Sequence, residues 1–330
     1  MLLIATCTEG TEKIVLDELK ETGIVKDEKV FPGIIIFSYG SDLKSLVLMK
    51  TADDILFLIK KFQDIDRYRS SLIDMKIQLR HVNLDKTLAT CSRVRKIAKK
   101  TYGVKASYIG RRDYTAAEVE DTIMHEMKDW KKSDDPEISL RVILTQDISF
   151  IGSSLTRMPL YMQNRLQTVP GSLRPSLANI LIRLSGLKKE HVFLDPMCGS
   201  GMIAIEAKKI TEKCIAGDKE EKTLEIAKQN ASKAGAEIEF HGWDARKTGL
   251  EKGSVDRIIC NLPFGKQIEL DEHLIMDAVE EMARILKRDG RIVLLSKEQI
   301  PLPADLHLKE EIKIRNSGLD LLISVIEKIL

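Results

Sequence analysis

In the C-terminal half of the chain, short apolar runs alternate with segments of helical periodicity. The runs that predict strands cover residues 191–195, 214–218, 238–240, 256–260 and 292–295. The segments that predict helices cover the stretch from the glycines at 199–201 to residue 210, residues 220–234, and about 271–287. Strands that alternate with helices predict a parallel sheet with right-handed crossover connections.

The end of the chain follows a different pattern. Residues 308–315 and 319–329 both read as strands, and Asn316, Ser317 and Gly318 separate them. A short connection that contains glycine is typical of a β-hairpin. We therefore expect one late strand to run antiparallel in an otherwise parallel sheet.

The N-terminal half mixes the two periodicities without regular alternation. Strands are predicted at 2–6, 33–37, 54–62, 138–144 and 148–152, and helices at 9–21, 41–49, 67–82 and 115–130. Thr115 with Glu118 three residues later is typical of a capping box, which marks the start of a helix. The stretch 156–170, with two prolines near its ends, has the character of a linker. The pattern predicts an α+β region ahead of an α/β domain.

Composition narrows the class of protein. With 330 residues, 43% of them hydrophobic and 31% charged, the chain is long enough for two or three folded domains. It has no run of about 18 apolar residues, and its apolar start is too short for a secretory signal. Its five cysteines are scattered without a CxxC pair, which argues for reduced thiols and against a zinc site. We expect a cytoplasmic, monomeric protein with no membrane or metal partner.

Basic residues concentrate in one stretch, although the net charge is only +2. Between residues 93 and 112 there is no acid, and the basic residues are Arg93, Arg95, Lys96, Lys99, Lys100, Lys105, Arg111 and Arg112. The spacing of three and four between Arg93, Lys96 and Lys100 predicts a basic helix face that suits phosphates. Tyr102 and Tyr108 add rings that can stack on bases. A solvated helix face is the alternative; the complete lack of acids favours RNA as a partner.

The most informative segment is Leu194-Asp195-Pro196-Met197-Cys198-Gly199-Ser200-Gly201, where a predicted strand passes through two glycines into a helix. Glycine lets the backbone approach a ligand, and the helix N-terminus offers free N–H groups. A dinucleotide fingerprint would place its acid on the next strand, after the glycines, whereas Asp195 precedes them. An acid at that point suits a cationic ligand such as S-adenosylmethionine. A plain glycine turn is the alternative.

Three further strand ends carry polar residues that suit the same ligand. Asp218 ends the second strand, where a carboxylate can accept hydrogen bonds from both ribose hydroxyls. Asp244 follows the third strand and can accept from the adenine amino group. The fourth strand ends in Asn261-Leu262-Pro263-Phe264-Gly265. Because the carboxyl ends of parallel strands meet at one edge of a sheet, these residues together predict a cofactor site.

The C-terminal half resembles class I methyltransferases, and Asn261-Leu262-Pro263-Phe264 is similar to the (Asp/Asn)-Pro-Pro-(Tyr/Phe) motif of those that act on amino groups. Residues 170–178 and 195–201 resemble THUMP-containing tRNA (guanine-N2) methyltransferases. Residues 111–114, 139–142 and 148–152 are similar to the end of a THUMP domain. One departure is Leu262, which replaces the first proline of the motif. The family uses the backbone carbonyl at that position, so leucine can keep the role.

The resemblance implies a ferredoxin-like α+β subdomain at 1–60, a THUMP RNA-binding domain at 61–155, a linker at 156–170 and a Rossmann-like methyltransferase domain at 171–330. It implies S-adenosylmethionine as cofactor, tRNA as partner and N2-methylguanosine as product, in the acceptor stem at position 6. The predicted cofactor-binding residues are Asp195, Met197, Cys198, Gly199, Ser200, Gly201, Asp218, Lys219, Asp244, Ala245 and Asn261.

The motif residues suit an exocyclic amine, whose lone pair is conjugated with the base and therefore poorly nucleophilic. The amide oxygen of Asn261 and the carbonyl of Leu262 can accept the two amine hydrogens and direct the lone pair at the methyl group. Pro263 can hold the turn, and Phe264 can stack on a flipped base. These four residues are the predicted catalytic residues.

Other functions stay open on the sequence. The same motif serves guanine at position 10, adenine N6 in nucleic acid and the amide of a protein glutamine. A thiolate of Cys260 or Cys198 would instead attack a pyrimidine ring, although Cys260 reads as a buried packing residue between apolar neighbours. A tRNA-binding protein without catalysis is the alternative of another class. The intact set of acids and glycines disfavours it.

Overall fold

The chain forms two units, each with its own β-sheet. In the computed structural model, which describes residues 1–80, 82, 84–127, 130–162, 166–263 and 272–329, the first unit comprises Met1–Cys7 and Glu12–Gln163. The second comprises Thr8–Thr11 and Asn164–Leu330. No helix in the described ranges is long and apolar enough to cross a membrane.

The first unit is a mixture of α and β, as predicted. Its strands are β1 (Leu2–Thr6), β2 (Val25–Phe31), β3 (Ile34–Tyr39), β4 (Asp54–Phe62), β5 (Thr101–Tyr108), β6 (Lys131–Lys132), β7 (Ile138–Leu144) and β8 (Ser149–Ser154). Its helices are α1 (Glu12–Thr22), α2 (Leu43–Leu46), α3 (Ser70–Leu79), α4 (Leu84–Ser92) and α5 (Ala116–Glu126), with a 3₁₀ turn at Leu160–Met162.

The strands of the first unit form one sheet in the order β2-β3-β1-β4-β8-β7-β5-β6. Neighbouring strands run antiparallel except β5, which is parallel to both β6 and β7. The predicted hairpin of β7 and β8 is confirmed, with Val142 opposite Ile151. The two predicted subdomains, 1–60 and 61–155, both contribute strands to this sheet, and the division between them stays a prediction.

The start of α5 confirms the capping box. The N–H of Glu118 donates to Oγ1 of Thr115 at 3.2 Å, and the N–H of Thr115 donates to the Glu118 carboxylate at 2.8 Å. The helix then buries Val119 and Ile123, one turn apart, against the sheet. Local cap chemistry and apolar spacing agree here, which is why the sequence located this helix well.

The predicted basic helix face at 93–100 is wrong. Helix α4 ends at Ser92, and residues 93–100 form turns and irregular chain before β5 begins at Thr101. Like charges three and four residues apart repel each other on a helix, which works against continuing α4. Along β5, Tyr102 and Val104 are buried and Lys105 is exposed, the alternation of a strand. Strands β2 and β6 and helix α4 have no counterpart among the predicted elements.

The second unit alternates strands and helices. Its strands are β9 (Val192–Asp195), β10 (Lys213–Asp218), β11 (Glu239–Gly242), β12 (Val255–Asn261), β13 (Leu286–Ser296), β14 (Leu306–Asn316) and β15 (Leu319–Lys328). Its helices are α6 (Pro175–Ser185), α7 (Met202–Lys208), α8 (Glu221–Ala234) and α9 (Glu272–Ile285). Glycines in the left-handed conformation end α6 and α8, at Gly186 and Gly235.

The sheet of the second unit has the order β11-β10-β9-β12-β13-β15-β14. The first five strands are parallel, and β15 is antiparallel to both of its neighbours, which confirms the predicted α/β fold and terminal hairpin. Ser317 and Gly318 both have positive φ in the hairpin turn. The chain winds to opposite sides of β9, so β9 and β12 flank the switch point where open α/β sheets bind ligands.

Candidate active site

A cavity of about 420 Å³ opens at the carboxyl ends of the parallel strands of the second unit. The predicted residues that line it are Asp195, Met197, Cys198, Gly199, Ser200, Asp218, Lys219, Asp244, Ala245, Asn261, Leu262 and Pro263. Gly201 lies just beyond the lining, at the N-cap of α7. Phe264 lies outside the described residues. The cavity therefore brings together residues from four strand ends that are distant in sequence.

The loop after β9 needs its glycines for backbone shape. Gly199 and Gly201 have φ of +54° and +82°, which only glycine adopts readily. A Cβ on Gly201 would also lie 3.2 Å from the Cβ of Ala227 on α8. The N–H of Cys198 donates to the Gly217 carbonyl at 2.8 Å, which ties the loop to the end of β10. The two glycines thus allow the loop to fold against the end of β10 and lead into α7.

Asp195 is the most unusual group of the cavity. Its side chain is 1% exposed, and neither carboxyl oxygen has a hydrogen-bond partner of good geometry among the described residues. Burial raises the pKa of Asp195 well above its ordinary value; the negative charge of Asp218 adds to the rise, and the nearby backbone N–H of Met197 opposes it. An unpartnered buried carboxyl costs stability. Asp195 lines a cavity in which a cationic ligand would supply the missing partner.

Asp218 is held by the backbone. Its two carboxylate oxygens accept from the N–H of Gly199 at 3.0 Å and from the N–H of Glu220 at 2.9 Å. The carboxylate thus bridges the glycine loop and the start of α8. Carboxylate oxygens have more than one acceptor site each, so this arrangement fixes the group and leaves it able to accept from a ligand.

Trp243 and Asp244 form the third wall. The indole Nε1 of Trp243 donates to the Pro196 carbonyl at 3.2 Å, and its ring is so close to Gly217 that a Cβ there would lie 2.1 Å from Nε1. The guanidinium of Arg246 binds both oxygens of Asp244 and lowers the pKa of that carboxyl. Asp244 is therefore ionised, and its predicted role towards an adenine stays a prediction.

The end of β12 carries the motif residues. Asn261 lines the cavity, with its amide oxygen buried and without a partner among the described residues. Leu262 is 1% exposed in the apolar core of the unit, and its N–H donates to the Leu295 carbonyl at 3.0 Å. A proline, which has no N–H, could not make that bond. The departure from the family motif thus exchanges a rigid ring for a hydrogen bond to the neighbouring strand.

The thiols near the cavity are poor nucleophiles. Cys260 is fully buried, and burial raises the pKa of its thiol well above the ordinary value. Burial does the same to Cys198, and the charges of Asp195 and Asp218 add to both shifts. Because the thiolate is the reactive form, this environment disfavours attack on a pyrimidine ring by either cysteine. Among the described residues, no cluster of His, Cys, Asp or Glu could hold a metal ion.

One wall of the cavity is formed by residues that the sequence did not predict as site residues. Residues Val169, Pro170, Gly171, Ser172 and Leu173 line it, together with Glu220, Thr223 and Trp243. Val169 and Pro170 belong to the predicted linker, but in the structure they cover the glycine loop. Residues 170–178 carry part of the family resemblance, and the Pro-Gly dipeptide is a turn signal, but neither feature assigned these residues to the cavity. Nothing in their composition indicates that the turn would fold against the cavity.

The predicted RNA-binding residues all lie in the first unit, and they differ in environment. Exposed side chains belong to Arg93, Lys96, Lys99, Lys100, Lys105 and Arg111. Arg95 turns inward to Glu137, with 3.1 Å between Nη1 and Oε2. Arg112 donates to the carbonyls of Asp66 and Thr145. Tyr102 is buried, so its predicted stacking on bases is wrong, whereas Tyr108 is exposed.

The fold and the cavity together define the class of protein. Five parallel strands with a terminal antiparallel pair, a glycine loop after the first strand, and acids at successive strand ends form a Rossmann-like methyltransferase, the class that uses S-adenosylmethionine as methyl donor. The unpartnered carboxyl of Asp195 and the fixed carboxylate of Asp218 fit a cofactor that carries cationic groups and hydroxyls.

Comparisons with known proteins identify the family. Residues 163–320 match UPF0020, the RMKL-like methyltransferase domain. The tRNA (guanine(6)-N2)-methyltransferase of Thermus thermophilus is 30% identical over 247 residues, covering 69% of this chain and 73% of that protein. The chain belongs to the tRNA (guanine-N2)-methyltransferase family.

Solved structures agree on the fold. The crystal structure of TrmN from Thermus thermophilus superposes with a TM-score of 0.77 at 25% identity, covering 99% of both chains. SMU.472, whose structure contains SAH, gives a TM-score of 0.75 at 16% identity and covers 100% of this chain and 98% of its own. Because both similarities cover nearly the whole chain, they extend to the first unit as well as to the methyltransferase domain.

Proposed function

We propose that the protein transfers a methyl group from S-adenosylmethionine to the exocyclic N2 of a guanine in tRNA, at position 6 of the acceptor stem. The observation that carries the proposal is the unpartnered amide oxygen of Asn261, which lies at the edge of the same cavity as the unpartnered carboxyl of Asp195. One is a neutral acceptor suited to an amine, and the other is an acid suited to a cation. The guanine(6) in the name of the Thermus relative supports the position.

The cofactor residues have separate tasks in this proposal. S-adenosylmethionine, when bound, supplies an electrophilic methyl group that is already activated by its sulfonium. Asp195 receives a cationic group, Asp218 accepts from the ribose hydroxyls and Asp244 from the adenine amino group. The backbone of Met197, Cys198, Gly199, Ser200 and Gly201 shapes the floor, and Lys219 and Ala245 flank the two later acids.

The motif residues position the amine. Asn261 Oδ1 and the carbonyl of Leu262 accept its two hydrogens, which aligns the nitrogen lone pair for transfer, while Pro263 holds the turn and Phe264 stacks on the base. Much of the rate then comes from positioning, because the methyl donor needs no further activation by the protein. No strong general base is required, since the proton can leave after transfer. The buried thiols of Cys260 and Cys198 take no part.

The first unit captures the tRNA in this proposal. The exposed basic residues between 93 and 112 contact phosphates, and Tyr108 offers a ring for stacking. The division into a subdomain at 1–60, a THUMP domain at 61–155, a linker at 156–170 and a methyltransferase domain at 171–330 belongs to the proposal. So do the cytoplasmic location, which suits five buried cysteine thiols, and the monomeric state.

The test is transfer of tritium from labelled S-adenosylmethionine to transcribed tRNA, followed by nucleoside digestion and mapping of the labelled position. We expect label in N2-methylguanosine at position 6, retained when the Cys260→Ala variant is used. Label at guanine 10 or adenine N6 would correct the substrate but keep the amine chemistry. Label in a C5-methylpyrimidine would overturn the mechanism, and tRNA binding without any label would indicate a non-catalytic protein.

A further inference from the structure

The two ends of the Asn261 side-chain amide lie in different environments. Its Nδ2 donates to the backbone carbonyl of Gly171 at 3.1 Å. Its Oδ1 is buried, has no partner among the described residues, and belongs to a side chain that lines the cavity. Because two carbonyl oxygens facing each other would repel, the Gly171 carbonyl determines which end of the amide turns towards the cavity.

Gly171 belongs to a tight turn over residues 169–172. The N–H of Ser172 donates to the carbonyl of Val169 at 3.0 Å, Pro170 occupies the second position, and Gly171 has a φ of +82° at the third. That combination is the signature of a type II turn. The hydroxyl of Ser172 accepts from the N–H of Val169 at 2.8 Å, which closes the turn a second time.

Polar contacts anchor this turn to the glycine loop. The hydroxyl oxygens of Ser172 and Ser200 are 2.9 Å apart. Asn230, on α8, is 1% exposed; its Nδ2 donates to the carbonyls of Gln167 and Ser200, both at 2.9 Å. Its Oδ1 accepts from the N–H of Gln167 at 2.8 Å. The turn that carries the Gly171 carbonyl is thus held by a connected set of hydrogen bonds, most of them partly buried, rather than being a free loop.

We propose that the turn 169–172 is a positioning element for Asn261: its Gly171 carbonyl occupies the amide NH₂, so that the amide oxygen alone faces the substrate. The inference rests on the proposed function and deepens it. An acceptor that cannot rotate selects a nucleobase edge with an N–H donor over one with a carbonyl. It also makes asparagine the required residue, although the family motif allows aspartate, because a carboxylate would face the Gly171 carbonyl oxygen.

The Asn261→Asp variant tests this. Above the pKa of the introduced carboxyl, two acceptors face each other across the contact now made by Nδ2. Below it, the protonated carboxyl can donate to the Gly171 carbonyl and keep its other oxygen as an acceptor, as the amide does. We expect kcat relative to the wild type to rise about tenfold per pH unit as pH falls towards that pKa, while KM for tRNA stays constant. The ratio for Asn261→Ala should not depend on pH.

Thermal unfolding supplies a readout that does not need activity. Asn261→Asp should unfold at a lower temperature than the wild type at pH 8, and the difference should shrink at pH 5.5. The acids that line the cavity among the described residues are Asp195, Asp218, Glu220 and Asp244, beside the cation Lys219, and Asp244 is paired with Arg246. The comparison is therefore repeated with Asp195, Asp218 and Glu220 each replaced in turn by its amide. A difference that survives in all three backgrounds is due to the Gly171 carbonyl, and one that disappears in any of them is due to repulsion by that acid and overturns the inference.

Ser172→Ala tests the turn itself. It removes the bonds to Val169 and Ser200 without touching Asn261, and we expect a fall in kcat of about tenfold with unchanged KM for tRNA. Unchanged kcat would overturn the positioning role of the turn. If neither the relative kcat of Asn261→Asp nor its difference in unfolding temperature depends on pH, the role of the Gly171 carbonyl is overturned. The unfolding difference of Asn261→Asp can depend on pH as expected while the wild type forms no N2-methylguanosine. That result would overturn the proposed function and leave the amide geometry supported.

Discussion

Two aspartates, one in each unit, are almost completely buried, and their surroundings differ. Asp54, in β4 of the first unit, accepts from the hydroxyl of Ser154 and from the N–H of Ile55. Asp195, at the end of β9 in the second unit, has no such partner among the described residues. Burial raises the pKa of both carboxyls, that of Asp54 to about 7. A buried acid that serves the fold is supplied with donors by the fold, whereas one that serves a ligand is left open.

The same contrast holds more widely. In the second unit, acceptors without partners are gathered around one cavity, at Asp195 and Asn261. In the first unit, Arg95 and Arg112 turn inward and donate through their terminal nitrogens, although the Nε of each is buried without a partner among the described residues; the remaining basic side chains of the stretch are on the surface. The predicted sites therefore differ: the cavity of the second unit gathers buried acceptors, whereas most basic residues predicted to bind RNA are exposed on the first unit. The two kinds of site should respond differently to mutation.

The largest effect is expected at Asn261. Asn261→Ala removes an acceptor that acts mainly in the transition state, so turnover should fall by about 10²–10³, by analogy with the loss of one oxyanion-hole donor. The melting temperature and the Kd for tRNA should stay near the wild-type values. Methyl transfer at saturating substrate concentrations measures turnover, thermal unfolding measures the melting temperature, and filter binding measures the Kd for tRNA. A comparable loss of tRNA affinity would mean that Asn261 is part of a binding surface instead.

The next effect sharpens the comparison of the two aspartates. Asp195→Asn keeps the shape and removes the charge, so binding of S-adenosylhomocysteine should weaken about 10- to 100-fold, the worth of one hydrogen bond to a charged group. Stability at pH 8 should not fall, because the change removes an unpartnered buried acid. Calorimetry and thermal unfolding check the two parts. The matched variant Asp54→Asn should leave binding of S-adenosylhomocysteine unchanged. Equal losses of affinity in the two variants would show that Asp195 has no special role in ligand binding.

A smaller effect is expected on the surface of the first unit. Replacing Lys96, Lys99 and Lys105 by Glu should weaken tRNA binding about tenfold at physiological salt and flatten its salt dependence, because fewer counterions are released. The same charge change at Lys26, Lys29 and Lys44 is the control. Affinity for S-adenosylhomocysteine should not change in either protein. Equal tRNA affinities in the two triple variants would show that the stretch has no special role.

The smallest effect concerns the pH dependence of stability. The folded protein holds a proton on Asp54 between the ordinary pKa of 3.8 and about 7, so this group makes stability fall as pH rises through that window. Asp54→Asn imitates the neutral acid and should raise the melting temperature by a few degrees at pH 8, with little change at pH 5. A variant that is less stable at both pH values would show that the ionised form, near Arg141, supports the fold.

Local patterns were sufficient where several signals coincided. The glycine loop, the acids at strand ends and the motif beginning at Asn261 are each visible in sequence, and parallel β-α alternation puts strand ends at one edge. The terminal hairpin and the capped helix α5 were equally accessible, because turn residues and caps act over a few positions. The role of the Leu262 carbonyl stays a prediction, and the sequence does not show the bond from the N–H of Leu262 to the carbonyl of Leu295.

Tertiary structure decided the rest, because it determines which partner a polar group meets. The spacing of the basic residues predicted a helix face, but repulsion between them and the alternating burial along β5 produced a turn and a strand instead. The sequence also does not show that Asp54 meets Ser154, 100 positions away, while Asp195 meets no partner among the described residues. Nor does it show that the carbonyl of Gly171 accepts a hydrogen bond from the side chain of Asn261, 90 positions away. Composition and local spacing determined the class of chemistry; contacts across the fold determined which acceptors are left for a ligand.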